Sequence, residues 1–124
     1  MAKGEDEVFE YEYERKELIK IARETGTASY SDFNERASLG LDMSNPLDRG
    51  EIGSLLGKIS RYEHEHGRPM LSVVIQHSGA GGPGSGFFKL AEDLGRFRPE
   101  FMEEKEFLKQ EFKYVRDYWK SHKE

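Results

Sequence analysis

The sequence predicts a mostly helical α+β protein with one small β-ribbon and an added long helix at its C-terminal end. Three observations lead there. Apolar residues recur at helical spacing in several windows, among them Leu18, Ile21 and Ala22, then Ile52, Leu55, Leu56 and Ile59. Only one run, LSVVIQ, has the β-branched density of a strand. Glycine and proline stand at the expected ends, with Gly26, Gly40, Gly67 and Gly95 after helical patterns and Pro46 and Pro99 before them.

A chain of 124 residues is expected to form one domain. Hydrophobic and charged residues each make up 35 %, so aromatic residues must supply much of the core. The absence of cysteine excludes disulfides, thiol catalysis and Cys-ligated zinc, and it suits a reducing compartment. No apolar run is long enough to span a bilayer, and MAKGEDEVFE lacks a signal-peptide core, so the expectation is a cytoplasmic protein without a membrane partner. The net charge of −5 is uneven: residues 1–14 set Lys3 against six carboxylates, and the rest carries 18 basic and 18 acidic residues. The acidity therefore belongs to a tail, residues 1–7, ahead of a domain covering 8–124.

Taken in order, the first helix should run from Val8 to Glu24 and stop at Gly26 as a left-handed cap. TASY is a short extended link. Ser31 should cap a second helix over Asp32–Ser38 with Phe33 and Ala37 inward, ended by Gly40. Asn45-Pro46 reads as a cap followed by proline in the first turn of a third helix reaching His66. A strand is expected over 70–76. Beyond the glycine loop, Ser85 should cap a short helix over Phe87–Leu94, and Pro99 should open a final helix over 99–121.

The stretches ASYSDFNERASLG, DRGEIGSLLGKIS and GRPMLSVVIQHSG together resemble a winged-helix domain, a helix-turn-helix variant backed by a small sheet. They are distantly similar to the DNA-binding half of DNA alkyltransferases over residues 28–79. Where that family carries Pro-Cys-His-Arg, this chain reads Pro69-Met70-Leu71-Ser72, so alkyl transfer is excluded. The pattern GRPMLSVVIQ…PGSGFFKLA is also similar to small uncharacterised bacterial winged-helix proteins, a likeness that brings no activity with it. The resemblance implies a module without catalytic residues that binds a macromolecule, DNA first among the candidates.

In a DNA-reading winged helix the outer face of the third helix meets the nucleic acid. With Ile52, Leu55, Leu56 and Ile59 inward, a 100° step puts Gly50, Ser54, Gly57 and Arg61 outward, with Lys58 on a flank. The candidate contacts are Arg49, Ser54, Lys58, Arg61 and Arg68. Residues 48–98 hold seven basic and six acidic side chains, so binding requires the fold to sort them onto different faces. Gly50, Gly53 and Gly57 each cost a helix up to about 1 kcal/mol relative to alanine. A close approach by DNA, a partner or the chain's own terminal helix would offset part of that. A protein-interaction adaptor using this smooth face and the aromatic terminal helix is the alternative.

Gly79-Ala80-Gly81-Gly82-Pro83-Gly84 spells GxGxxG between a strand and a helix, but no second parallel strand with its acidic residue follows. A Walker loop fails because Ser85 stands at the lysine position and Lys89 lies a turn further on. The loop reads as a wing tip. Gly79, Gly81, Gly82, Gly84, Ser85 and Lys89 mark an anion or nucleotide site as a second alternative, through the free amides of the following helix.

His64 and His66 diverge on a helix, and His77 has no firm companions, so no metal and no cofactor is implied. The terminal helix carries a stripe of Phe101, Leu108, Phe112, Val115 and Trp119, widened by Phe107, Tyr114 and Tyr118. That width predicts a homodimer using Phe107, Tyr114, Tyr118 and Trp119, unless the first helix covers it.

Overall fold

The structure is a computed structural model that describes residues 9–24, 26–77 and 82–123. The expected tail, with Gly79 and Gly81 of the loop, lies outside the described residues. Among those described, five α-helices accompany a single two-stranded sheet: α1 (Glu12–Glu24), β1 (Ala28–Ser29), α2 (Tyr30–Arg36), α3 (Pro46–Glu65), β2 (Ile75–Gln76), α4 (Ser85–Asp93) and α5 (Glu104–Ser121). The mostly helical α+β class is therefore the observed one. No described helix is long and apolar enough to cross a membrane.

Local chemistry accounts for most boundaries. Gly26, at φ 91°, ends α1 by donating its N–H to the Ile21 carbonyl at 2.8 Å. Asn45 caps α3, its Oδ1 accepting from the Leu47 N–H at 2.9 Å, with Pro46 in the first turn. Four boundaries differ from the sequence reading. The first helix, expected from Val8, begins at Glu12 after a turn at Glu10–Tyr11. Ser29, not Ser31, caps α2, because its hydroxyl accepts the Asp32 N–H at 3.0 Å. Ser85 lies inside α4, whose cap is Gly84. Pro99 opens only a turn, in which the Arg98 carbonyl accepts from both Phe101 and Met102, and α5 begins five residues after the proline.

The larger correction concerns LSVVIQ. Leu71–Val74 forms a 3₁₀ turn, and only Ile75–Gln76 is strand. This strand pairs in parallel with β1 (Ala28 opposite Ile75, Ser29 opposite Gln76), so the expected ribbon is not a hairpin. One antiparallel bridge, His77 to Gly82, closes the glycine loop. The reason is tertiary. Met70, Leu71, Val73, Val74 and Ile75 are wholly buried among α1, α3 and α5, leaving no room for a long ladder. Their polar backbone is served instead by side chains. The Ser72 N–H donates to Ser60 Oγ at 3.0 Å, and the Met70 N–H donates to a Glu111 carboxylate oxygen at 2.7 Å.

The core collects Leu18, Ile21, Phe33, Ile59, Phe107, Val115 and Trp119 around that segment. The inward face expected of α3 is buried as read. Phe107 and Trp119, read as interface residues, are instead inside the chain's own core, each 1 % exposed. Most of the stripe of α5 is taken up by α1 and the 3₁₀ turn, with Tyr118 half-buried and Tyr114 left exposed. Phe101 departs from the stripe altogether and lies exposed beneath the Arg98 guanidinium.

Two buried carboxylates bind this core to its neighbours. Glu63, fully buried on α3, accepts from Arg15 Nε at 2.5 Å and from Arg68 Nε at 2.7 Å. Glu111, on α5, faces Arg96 Nη2 at 2.6 Å as well as the Met70 amide. Ion pairs this buried hold only while every partner is present.

Candidate functional site

The outward face of α3 does not meet solvent as a bare convex rod. It forms the floor of a cavity of about 910 Å³, walled on one side by the start of α2 and on the other by residues 83–90. Size alone puts it in the range of about 300–1,000 Å³ typical of sites that enclose small organic groups. Gly53 and Gly57 lie on this floor. A Cβ added at Gly53 would meet nothing within 4 Å, and one at Gly57 would meet only Leu90 Cδ2, at 3.8 Å. Packing within the chain therefore does not require glycine at either place. The approach by the terminal helix that the sequence left open does not occur at these glycines.

The near wall is a polar-aromatic cluster. The Tyr30 and His77 rings lie 4.9 Å apart at 39°. Tyr30 Oη accepts the Gly84 N–H at 3.1 Å, tying the start of α2 to the entry of α4. Gly84 adjoins both rings: a Cβ there would make ordinary van der Waals contact, 3.5 Å from Tyr30 Oη and 3.6 Å from His77 Nε2. Phe87 and Leu90 of α4 supply the apolar part of the opposite wall, and Ser72 reaches the lining from the 3₁₀ turn. Gly82, at φ 65°, supplies the left-handed backbone that turns the chain out of the loop.

The charged side chains in the described lining of this cavity are all basic, although Lys58 also borders a neighbouring hollow lined by Glu14 and Glu51. Arg49, Lys58 and Arg61 line the cavity, and among its described lining residues there is no aspartate or glutamate. None of the three cations has a carboxylate partner among the described residues. Arg49 Nη1 donates to the Met43 carbonyl at 3.0 Å, which orients it along the rim. Lys58 lies over the Tyr11 ring at 5.5 Å. Asp42 shapes the loop behind Arg49. Its carboxylate accepts from the Ser44 hydroxyl and then the Ser44 N–H, and these bonds lower its pKa below the usual carboxylate value.

Of the residues singled out in the sequence, Arg49, Ser54, Lys58, Arg61, Gly84 and Ser85 thus come together around one space. Arg68 does not: it is held by Glu63 and covers the Tyr62 ring. Lys89 is exposed outside the lining. Tyr30, His77 and Phe87 were missed as a group, because residues 30, 77 and 87 are joined only by the β1–β2 pairing and the Tyr30–Gly84 bond. Their one sequence signal was aromatic residues flanking both the extended link and the glycine loop.

His64 and His66 belong elsewhere, beside Arg96 and tilted against the Tyr62 ring respectively. No cluster of three metal-ligating side chains occurs among the described residues.

Compared with known proteins, the chain matches no family model, no curated protein and no solved structure. The fold and site define a mostly helical α+β protein with a cavity over its third helix whose described lining is cationic and holds no carboxylate. The functional reading rests on that geometry.

Proposed function

We propose that the chain is a winged-helix-type module that binds nucleic acid without catalysing a reaction on it, with DNA the first partner to test. In this reading Arg49, Lys58 and Arg61 contact phosphate, and the loop closed by the His77–Gly82 bridge acts as the wing. The observation that carries the proposal is the sorting of charge. In a protein of net charge −5, three basic side chains rim one cavity and no described lining residue is acidic. A polyanion gains from such a surface by releasing its condensed counterions.

The test is fluorescence anisotropy with a labelled oligonucleotide near 50 mM salt, comparing the wild type with Arg61→Glu. Arg61 is exposed and outside the core, so the variant is expected to fold normally. Binding should weaken about tenfold or more in the variant. Three phosphate contacts also predict a slope of log affinity against log salt of about −2 to −3. Arg61→Glu binding as tightly as the wild type, or affinity indifferent to salt, would remove the proposal.

A further inference from the structure

We infer that the nucleic acid this site takes is an unpaired single strand, whose bases lodge in the cavity between α3 and the Tyr30–His77 wall. The inference rests on the nucleic-acid reading above and narrows it to one class of ligand. Its starting point is shape. A helix that reads duplex DNA must project, because it has to enter a major groove only about 12 Å wide and reach base edges there. Here the corresponding face of α3 is recessed, its glycines forming a floor with α2 on one side and residues 83–90 on the other. A duplex resting on the rim would leave the space of about 910 Å³ beneath it empty. A single strand, whose bases are free to turn inward, can fill it.

The lining has the two components that single-strand sites combine, a cationic track for phosphates and rings against which bases stack. Arg49, Lys58 and Arg61 make the first. Tyr30 and His77, 4.9 Å apart and held by the Gly84–Tyr30 hydrogen bond, make the second, with Phe87 opposite. Ser54, Ser72 and Ser85 add hydroxyls that can donate to or accept from a base edge. The glycines then gain a purpose. A larger side chain at position 53 would project into the space a base occupies, and its Cβ would meet no described atom within 4 Å.

The experiment compares full-length wild type with Gly53→Leu, using a labelled mixed-sequence 12-mer offered as a single strand and as the same strand annealed to its complement, each near 50 mM salt. Free AMP is the third probe. Thermal melting followed by circular dichroism reports the fold of each variant. The expected result is single-strand binding at least tenfold tighter than duplex binding, consistent with roughly tenfold per stacked base. Gly53→Leu should lose tenfold or more of it with an unchanged or raised melting temperature. His77→Ala, an exposed position, should lose a smaller part.

Duplex binding as tight as single-strand binding, or Gly53→Leu binding like the wild type, would overturn this inference and leave nucleic-acid binding standing. AMP binding with no oligonucleotide binding would overturn it in favour of a small-anion site. Failure to bind either oligonucleotide would take both readings down together.

Discussion

Arg61, in the last turns of α3, and Arg68, just past its end, stand seven residues apart and meet opposite fates. Arg68 turns toward the packed side of the molecule, where Glu63 holds it. Arg61 turns toward the open side, onto a cavity with no described carboxylate in its lining. The same division runs through the rest of the chain. On the packed side Arg15, Arg68 and Arg96 meet the buried carboxylates of Glu63 and Glu111, and α1, α5 and the 3₁₀ turn close over aromatic core. On the open side glycine keeps a helix face bare and the cations face outward. Near-neutrality along the sequence thus conceals a cavity whose described lining is of one sign, while Glu63 and Glu111 are taken up by buried ion pairs and the remaining acids of the region lie outside that lining.

This contrast can be broken most severely from the packed side. Glu63→Ala removes the carboxylate between two guanidinium groups and is expected to cost about 3–5 kcal/mol of stability. Chemical denaturation measures it, and a loss below about 1 kcal/mol would mean that these pairs do not hold the packed side together. Below its melting point the variant should still bind like the wild type, since the cavity is not lined by Glu63.

A gentler perturbation sharpens the open side. Gly50 lies on α3 with nothing near its absent Cβ, yet it does not line the cavity. Gly50→Ala should therefore stabilise the fold by up to about 1 kcal/mol and leave binding untouched. The pair Gly50→Ala and Gly53→Leu separates helix propensity from occupancy of the floor. If Gly50→Ala weakens binding as much as Gly53→Leu does, the glycines act through backbone flexibility rather than space.

The smallest effect is expected with pH. Hydrogen bonds from Ser44 lower the Asp42 pKa in the folded chain, so their contribution is complete above the ordinary aspartate value. It is lost as pH falls through the lowered folded value. Protonation should then loosen the turn that carries the Met43 carbonyl and, with it, the anchoring of Arg49. The Ser44 amide resonance, followed by NMR during an acid titration, should shift in that acidic range. It should stay constant on that titration in Asp42→Asn.

Much of the architecture was legible because its causes are local. Asn45-Pro46 specifies a helix start by cap and fixed φ, and Gly26, Gly67 and Gly95 adopt the positive φ that ends a helix. Arg61, with Lys58 on its flank, followed from the inward stripe of α3 by rotation, whereas Arg49 was singled out only by its charge. The strand expected at LSVVIQ did not, because β propensity describes a side chain on a half-buried pleated surface. Here the segment is enclosed by helices, and Ser60 and Glu111 from distant positions take its amides. Phe107 and Trp119 were misplaced for a related reason: an apolar stripe states how much must be covered, not by what.

What the sequence alone determined is the set of rods, the Asn45-Pro46 start and the glycine stops, and the buried face of α3, since each depends on residues within a few positions of one another. Which arginine would be spent in an ion pair was decided only in three dimensions, as were the coil of the valine-rich segment into a 3₁₀ turn and the hollow above α3. Those outcomes turn on contacts between residues 48 and 54 positions apart, Arg15 with Glu63 and Tyr30 with Gly84. No local preference encodes such partners. The balance of burial and hydrogen bonding across the whole chain does.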